Sequence, residues 1–331
     1  MMGTPRPMAV SGDIDGLVAA TMLGSVAVGW EIVAFQLESS SLLMHPSVAG
    51  GVPADTVAVD LFSIGHDSIS NHVVRYGTLK LQLPALRAAF ATWDAAVDAA
   101  GTTKLQAVPA IWAGTEGSRE GADRPTSSKY KYPFGSAQIL LAMLETSGHA
   151  PKFFDRRYLP WLIANCDGGV STYTNYPWNA RVWWPVMAGA VGPASLTEQV
   201  FRLVDGMRPH EFVDAVNAQD RERAAANEKP WLDDQWRLVN TTTPTIVRAI
   251  EWLCELTGWR DPVRGGVRDL QSWVTTPVKG SGMVYLGGLN KVNASSEQSA
   301  VASLAGAANG LNANFYHGGM SGSRFNWAGG W

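Results

Sequence analysis

The stretch PMAVSGDIDGLVAATMLGSVA, Pro7 to Ala27, constrains the fold more than any other part of the chain. Pro7 to Gly12 reads as a short buried strand, and Gly16 to Ala27 as a helix of small and apolar residues. Between them stand Asp13 and Asp15, one residue apart and followed at once by Gly16. Trp30 to Leu37 is a second strand, and TVAVDL, Thr56 to Leu61, is a third that again ends in an aspartate. Strand, helix, strand, strand in this order predicts an α/β fold with an N-terminal doubly wound, mostly parallel sheet. The ligand sites of such sheets lie beyond the carboxyl ends of the strands. Asp13 and Asp60 both fall at such ends.

With 331 residues, 46% apolar and 17% charged, the chain is long enough for one large domain or two ordinary ones. A net charge of −3 argues against a polyanion-coating surface and against an acidic tail, so any nucleic-acid contact is local. Cys166 and Cys254 suit a reducing compartment and have no zinc-knuckle spacing. MMGTPRPMAV lacks the pattern of a signal peptide, and no apolar run approaches the roughly 20 residues of a membrane span. The expectation is a soluble cytoplasmic protein with no membrane partner; a homodimer is compatible with this composition. Fourteen tryptophans are read mainly as bulky core, with stacking on bases or sugars as the sharper alternative.

Further along, helices are predicted over Pro84 to Ala99, Ser136 to Glu145 and Tyr158 to Asn165. Gly114 to Lys131 reads as a mobile loop, and Ser195 with Glu198 as a capping box. Asn217 to Asp234 is polar and charged, which divides the chain into residues 1–215, a linker over 216–240, and a smaller C-terminal α+β domain over 241–331. There Thr243 caps a helix with Pro244 in its first turn, followed by a strand at Met283 to Leu286, a helix at Ser296 to Ala308 and a glycine-rich end.

Two carboxylates at i and i+2 leaving a strand can point at one hard cation or bracket two. Magnesium and manganese prefer oxygen ligands, with imidazole admitted for manganese. The plain alternative is that an aspartate at this junction only caps the helix. VAVDLFSIGHDSISNHVV, Val57 to Val74, adds Asp60 at a strand end, His66 and Asp67 in a loop, then Asn71 and His72 in a fourth short strand. LPWLIANCDGGVSTY, Leu159 to Tyr173, delivers Asp167 beside two glycines after an apolar helix.

In order, these segments resemble the DHH phosphoesterase superfamily, which includes RecJ-type exonucleases, oligoribonucleases, cyclic-dinucleotide phosphodiesterases and manganese pyrophosphatases. Its Asp-x-Asp motif is matched by Asp13 and Asp15, its lone strand-end Asp by Asp60, and its last Asp by Asp167. Asn71, His72 and Val73 stand at its Asp-His-His, and Gly135 and Ser136 at its Gly-Ser helix start. The resemblance implies two Mn²⁺ or Mg²⁺ ions, with Asp60 bridging them, Asp13 on the first, and Asp15, His72 and Asp167 on the second. Asp60 and His72 are then the catalytic centre, and His66 is a substitute for the histidine that Val73 replaces. Ser136 and Lys131 are assigned to phosphate oxygens. The chain departs from the family pattern at Val73, at Asn71, and at Ala9 to Ser11, where many members place a histidine.

The family's second domain usually holds substrate over the metals with glycines and an arginine, so the resemblance implies that 241–331 is a substrate-binding domain. NFYHGGMSGSRFNWAGGW offers His317, Gly318, Gly319 and Arg324 for that role, and VRGGVRD offers Arg264 and Arg268 as a lesser phosphate-facing loop. The expected activity is metal-dependent hydrolysis of short single-stranded nucleic acid or small, including cyclic, nucleotides. One alternative is a catalytically impaired nucleotide- or nucleic-acid-binding regulator of the same fold. Another is a haloacid-dehalogenase-type phosphatase with Asp13 as nucleophile and Asp15 as acid/base, although Leu17 stands where those enzymes carry threonine.

Overall fold

A computed structural model of the chain describes residues 3–37, 41–61, 66–71, 104–106, 133–152, 159–167, 177–206, 240–277, 280–285, 315–316, 320–321 and 324–329, with single positions between them. Its main sheet has seven strands in the order β6-β5-β4-β1-β2-β3-β7. These are β1 (Pro7–Ser11), β2 (Glu31–Leu37), β3 (Ser41–Met44), β4 (Val57–Val59), β5 (Asp67–Ser70), β6 (Lys104–Gln106) and β7 (Val274–Pro277). From β6 to β2 every pairing is parallel, whereas β3 alone is reversed and pairs antiparallel with both β2 and β7. The central strands read as unbroken apolar runs because both of their faces are covered.

From β1 the chain passes through α1 (Ile14–Val26) to β2 on one side, then returns after β3 to β4 on the other side of β1. The direction of winding reverses at β1, so a crevice opens between the carboxyl ends of β1 and β4. Asp13 starts α1 as its cap, its Oδ1 accepting from the Gly16 amide at 3.0 Å. Small residues let α1 lie close to its neighbours: a Cβ on Gly24 would stand 2.7 Å from Pro262. Met8, Val10, Phe35, Leu43, Val57, Val59 and Ile69 pack on one sheet face against α1, α2 (Ser136–Thr146), α3 (Leu159–Asn165), α4 (Pro177–Val191), α5 (Leu196–Gly206) and α6 (Thr243–Thr257). Ala9, Val33, Ala34, Leu42, Met44 and Ala58 form a second cluster on the other face with Val48, Val52 and Leu61. A bulge opposite Met8 and Ala9 lets Val33 and Ala34 both join it.

Several elements differ from expectation. The fourth parallel strand begins at Asp67, which Arg6 holds at 2.8 Å, so Asn71 stands just past its carboxyl end. The cap position of α6 is Thr242, and the helix closes on Gly258 in the left-handed region. Ser195 does cap α5, accepting from the Glu198 amide at 2.9 Å, while Glu198 reaches back to the Ala194 amide. Helix α6 packs on α1, and β7 extends β3, so residues 243–277 contribute to the first core. A separate antiparallel sheet begins only at β8 (Gly280–Tyr285), with β9 (Phe315–Tyr316), β10 (Met320–Ser321) and β11 (Arg324–Gly329). Within Pro84 to Ala99 the described positions 88, 91–92, 95 and 99 are helical. The loop at Gly114 to Lys131 and the helix at Ser296 to Ala308 lie outside the described residues. Trp30, Trp184, Trp252, Trp259 and Trp273 are all buried, as a core role requires. Among the described residues no helix is long and apolar enough to cross a membrane.

Candidate functional site

β1 and β4 are hydrogen-bonded neighbours with Val10 opposite Val59, so the residues that leave them emerge side by side. Asp60, immediately after β4, has φ 54°, one of two non-glycine residues with positive φ among those described. That conformation costs a residue with a side chain on the order of 1 kcal/mol or more, and such strain gathers at functional turns. The turn is held by the Asp60 amide, which donates to the Ile69 carbonyl of β5 at 2.8 Å. Asp60 and Asp15 are 2% and 1% exposed, whereas Asp13 reaches solvent and marks the mouth of the crevice.

The amino terminus of α2 closes this group from the side. Asp15 accepts from the Ser136 amide through Oδ2 at 2.8 Å and from the Ala137 amide through Oδ1 at 2.9 Å. A carboxylate suits the positive end of a helix, where amides have no intrahelical acceptor. The Ser136 hydroxyl donates to Asp60 Oδ1 at 2.6 Å and accepts from the Asn71 amide at 3.1 Å. Asn71 in turn donates from Nδ2 to Asp167 Oδ2 at 3.5 Å. One buried serine therefore couples the ends of β4 and β5 to α2.

Gly135 makes this approach possible. A Cβ there would lie 2.0 Å from the Asp167 carbonyl oxygen and 2.8 Å from Asp15 Oδ2, so no other residue fits without displacing one of them. The Gly135 amide donates to Gln138 Oε1, and Gln138 Nε2 donates to the Ile163 carbonyl of α3. Helix α3 delivers Asp167, and Gln138 thus fixes the distance between the two segments. Sequence reasoning passed over Gln138 and also Ser11, whose hydroxyl supports Asp13. The signal was present in FGSAQ, where a glutamine three residues after a helix cap reaches back to the cap amide.

Four carboxylates share this region. Burial, then the Asp167 and Asp13 charges, push Asp15 well above the ordinary carboxylate range. Burial, then Asp13 and Asp15, do the same to Asp60, against the opposing pull of the Ser136 hydrogen bond. Asp13 is raised by desolvation and by Asp167, and its carboxyl meets that of Asp60 in a hydrogen bond. Two carboxyl groups in such contact require a shared proton or a cation between them. Cys166, buried beside the cluster, is held as a thiol, first by burial and then by the same aspartates.

The other predicted residues fall elsewhere or outside the described set. His66 precedes β5, at the amino end of strands whose carboxyl ends carry the aspartates, and its Nδ1 faces the Ala54 carbonyl at 3.3 Å. The length of β5 separates it from the site, so it does not stand in for Val73. Ser136 has given its one proton to Asp60 and is fully buried, so its part is to join Asp60 to α2 and not to meet phosphate oxygens. Arg264 pairs with Glu31 at 3.1 Å at the amino end of β2, away from any phosphate-facing loop. Arg324 lies on β11. His72, Lys131, His317, Gly318 and Gly319 lie outside the described residues. Among the described residues no three histidine, cysteine, aspartate or glutamate side chains enclose a common point as metal ligands. Compared with protein-family models, with curated proteins and with solved structures, the chain matches none.

Proposed function

We propose that the crevice beyond β1 and β4 binds divalent cations and hydrolyses a phosphodiester in short single-stranded nucleic acid or a small, including cyclic, nucleotide. The observation that carries this reading is the gathering of Asp13, Asp15, Asp60 and Asp167, from three separate segments, at the switch point of a mainly parallel sheet. A chain does not collect like charges there for stability, because each raises the cost of ionising the others. The donor set suits a hard cation: it is all oxygen, and the buried Asn71 Oδ1 beside it accepts no hydrogen bond. Paired Mn²⁺ or Mg²⁺ ions there would polarise the phosphoryl group and lower the pKa of an attacking water.

The chain's own residues divide the remaining work. Asp13 and Asp60, with their carboxyl groups in contact, would hold cation at the mouth; Asp167 would approach from the α3 side, steered by Asn71. Asp15 has both oxygens on α2 amides, so its first task is to fix the helix start against the crevice. That commitment also weighs against Asp15 as the acid/base of a haloacid-dehalogenase-type reaction. His72, two residues beyond β5, would complete the ligand set of a DHH-like site. A small C-terminal unit around β8–β11 would hold substrate over the crevice through Arg324.

The commitment of Asp15 and Ser136 to structural hydrogen bonds, together with Val73, supports a second reading: binding of nucleotide without turnover. One experiment separates the two. Purified protein with Mn²⁺ is given a short single-stranded oligonucleotide and a cyclic dinucleotide, and products are resolved by chromatography. Hydrolysis abolished in Asp60→Ala and Asp167→Ala, with circular dichroism retained, is the expected result. Binding without cleavage overturns the catalytic reading, and near wild-type cleavage by either variant removes that residue from the site.

A further inference from the structure

Asn71 is 0% exposed and stands one position past the carboxyl end of β5. Its backbone amide donates to the Ser136 hydroxyl, which itself donates to Asp60, and its side-chain Nδ2 donates to Asp167 Oδ2 at 3.5 Å. Its Oδ1 is sealed from solvent and accepts no hydrogen bond. An ionised carboxylate only accepts, so the nitrogen must face Asp167 and the oxygen is the atom left over. Turning the amide over would set two acceptors against each other. A buried amide oxygen without a partner costs the fold, and such an atom calls for an ion or a trapped water.

The crevice beside it is short of a ligand. Among the described residues no three histidine, cysteine, aspartate or glutamate side chains converge on one point. Asp15 has both oxygens on α2 amides, and the Ser136 hydroxyl occupies one oxygen of Asp60. Within the described residues, a cation held here therefore draws on an oxygen of another kind, and hard cations accept side-chain amide oxygens alongside carboxylates. Distance permits it. Bond lengths within the amide put Oδ1 no more than about 6 Å from Asp167 Oδ2. Two oxygens on one hard cation stand up to about 4–5 Å apart. The Asn71–Asp167 contact is at the long limit of a hydrogen bond, so a closing movement of about 1–2 Å onto an ion breaks nothing strong. We propose that Asn71 Oδ1 is a ligand of the cation that Asp167 binds. Being neutral, it fills the shell without cancelling the charge that polarises a phosphoryl group. The choice of a cation rests on the metal-dependent reading of the crevice; the assignment of Asn71 is additional to it.

Weaker metal binding alone does not prove the assignment, because losing a residue that merely orients a ligand also costs about tenfold to a hundredfold. Asn71→Cys supplies the decisive signal. A thiolate bound directly to Co²⁺ absorbs in the near ultraviolet by sulfur-to-metal charge transfer, and one that does not touch the metal is silent. Titration of Asn71→Cys with Co²⁺ should raise that band, and wild type, whose two thiols are Cys166 and Cys254, should not. Calorimetry with Mn²⁺ supplies the second test. Asn71→Leu fills similar space without an oxygen and should bind roughly tenfold to a hundredfold more weakly. Asn71→Asp keeps an oxygen and should bind at least as tightly as wild type, whereas a hydrogen-bond role alone predicts weakening, since aspartate repels Asp167. The backbone bond to Ser136 does not depend on the side chain, and circular dichroism in EDTA checks each fold. Absence of the cobalt band from folded Asn71→Cys, as a trapped water on Oδ1 predicts, overturns the proposal. So does Mn²⁺ affinity unchanged in Asn71→Leu or reduced in Asn71→Asp. Each of these leaves cation binding by the aspartates in place. A wild type that binds no Mn²⁺ removes the metal-dependent reading and this assignment with it.

Discussion

Replacing Ser136 with alanine deletes one oxygen atom and tests the link on which the site's geometry depends. That hydroxyl is inaccessible to solvent, donates to Asp60 at 2.6 Å and accepts from the Asn71 amide at 3.1 Å. No water can take its place without a new cavity, so both partners lose a bond outright. A hydrogen bond to an ionised carboxylate is worth about 1.5–3 kcal/mol, and a buried amide left unsatisfied costs about 1–3 kcal/mol. Alanine's better helix propensity returns only about 0.5 kcal/mol. The expected loss is therefore about 2–5 kcal/mol for the metal-free protein at a pH where Asp60 is ionised.

The same bond predicts how that loss varies with pH. Asp60 has a folded pKa well above the ordinary range, and the Ser136 bond works against that rise. Without the bond the pKa climbs further. At pH values below the folded pKa, Asp60 is protonated in both proteins and the carboxylate's share of the difference disappears. As pH increases through that value, the variant loses more stability than the wild type, so the gap widens toward alkaline pH. Urea and thermal unfolding in EDTA from pH 5.5 to 8 measure the gap directly. A double-mutant cycle with Asp60→Asn should show coupling on the order of 0.5–3 kcal/mol. A gap below about 0.5 kcal/mol, or one that narrows toward alkaline pH, would refute the hydrogen-bond chain from Asn71 through Ser136 to Asp60.

Two further outcomes follow from the same geometry. Gly135→Ala forces a Cβ into the Asp167 carbonyl, so overpacking should remove about 1–3 kcal/mol and lower the melting temperature, and unchanged melting would contradict the close approach. Because Asp13, Asp15 and Asp60 are all raised, their contribution favours the folded state most at pH values below the ordinary carboxylate range and declines as pH rises through their folded values. Melting scans in EDTA should record that decline, and Mn²⁺ at about a hundred times its dissociation constant should restore about 2.7 kcal/mol at pH 8. A Mn²⁺ effect absent from wild type, or retained in full by Asp60→Ala, counts against cation binding.

Much of the crevice was legible because it depends on strand ends, and strand ends are written locally. TVAVDL shows an apolar run stopping at an acid, and SGDIDG shows the same with a glycine to ease the turn. β3, β6 and β7 were not legible for the converse reason. SLLM, KLQ and VTTP are three or four residues long and carry no period of their own; pairing with a neighbour makes them strands. His66 was misplaced because the start of β5 was set a few residues late. In a parallel sheet that error exchanges the carboxyl end of a strand, where the aspartates gather, for the opposite one. The roles of Asp15 and Ser136 depend on contacts 121 and 76 residues away in sequence, which no local pattern encodes.

The membership of α6 and β7 in the first core bears on how firmly the crevice is held. Helix α6 is anchored by Ile246, Ile250 and Leu253, all fully buried in the cluster that also holds Leu17 and Phe35. Its first turn cannot move away from Gly12 without opening that cluster, and Gly12 is one residue from Asp13. The loop that carries Asp13 is therefore braced by the packed core of the sheet and not by a flexible hinge.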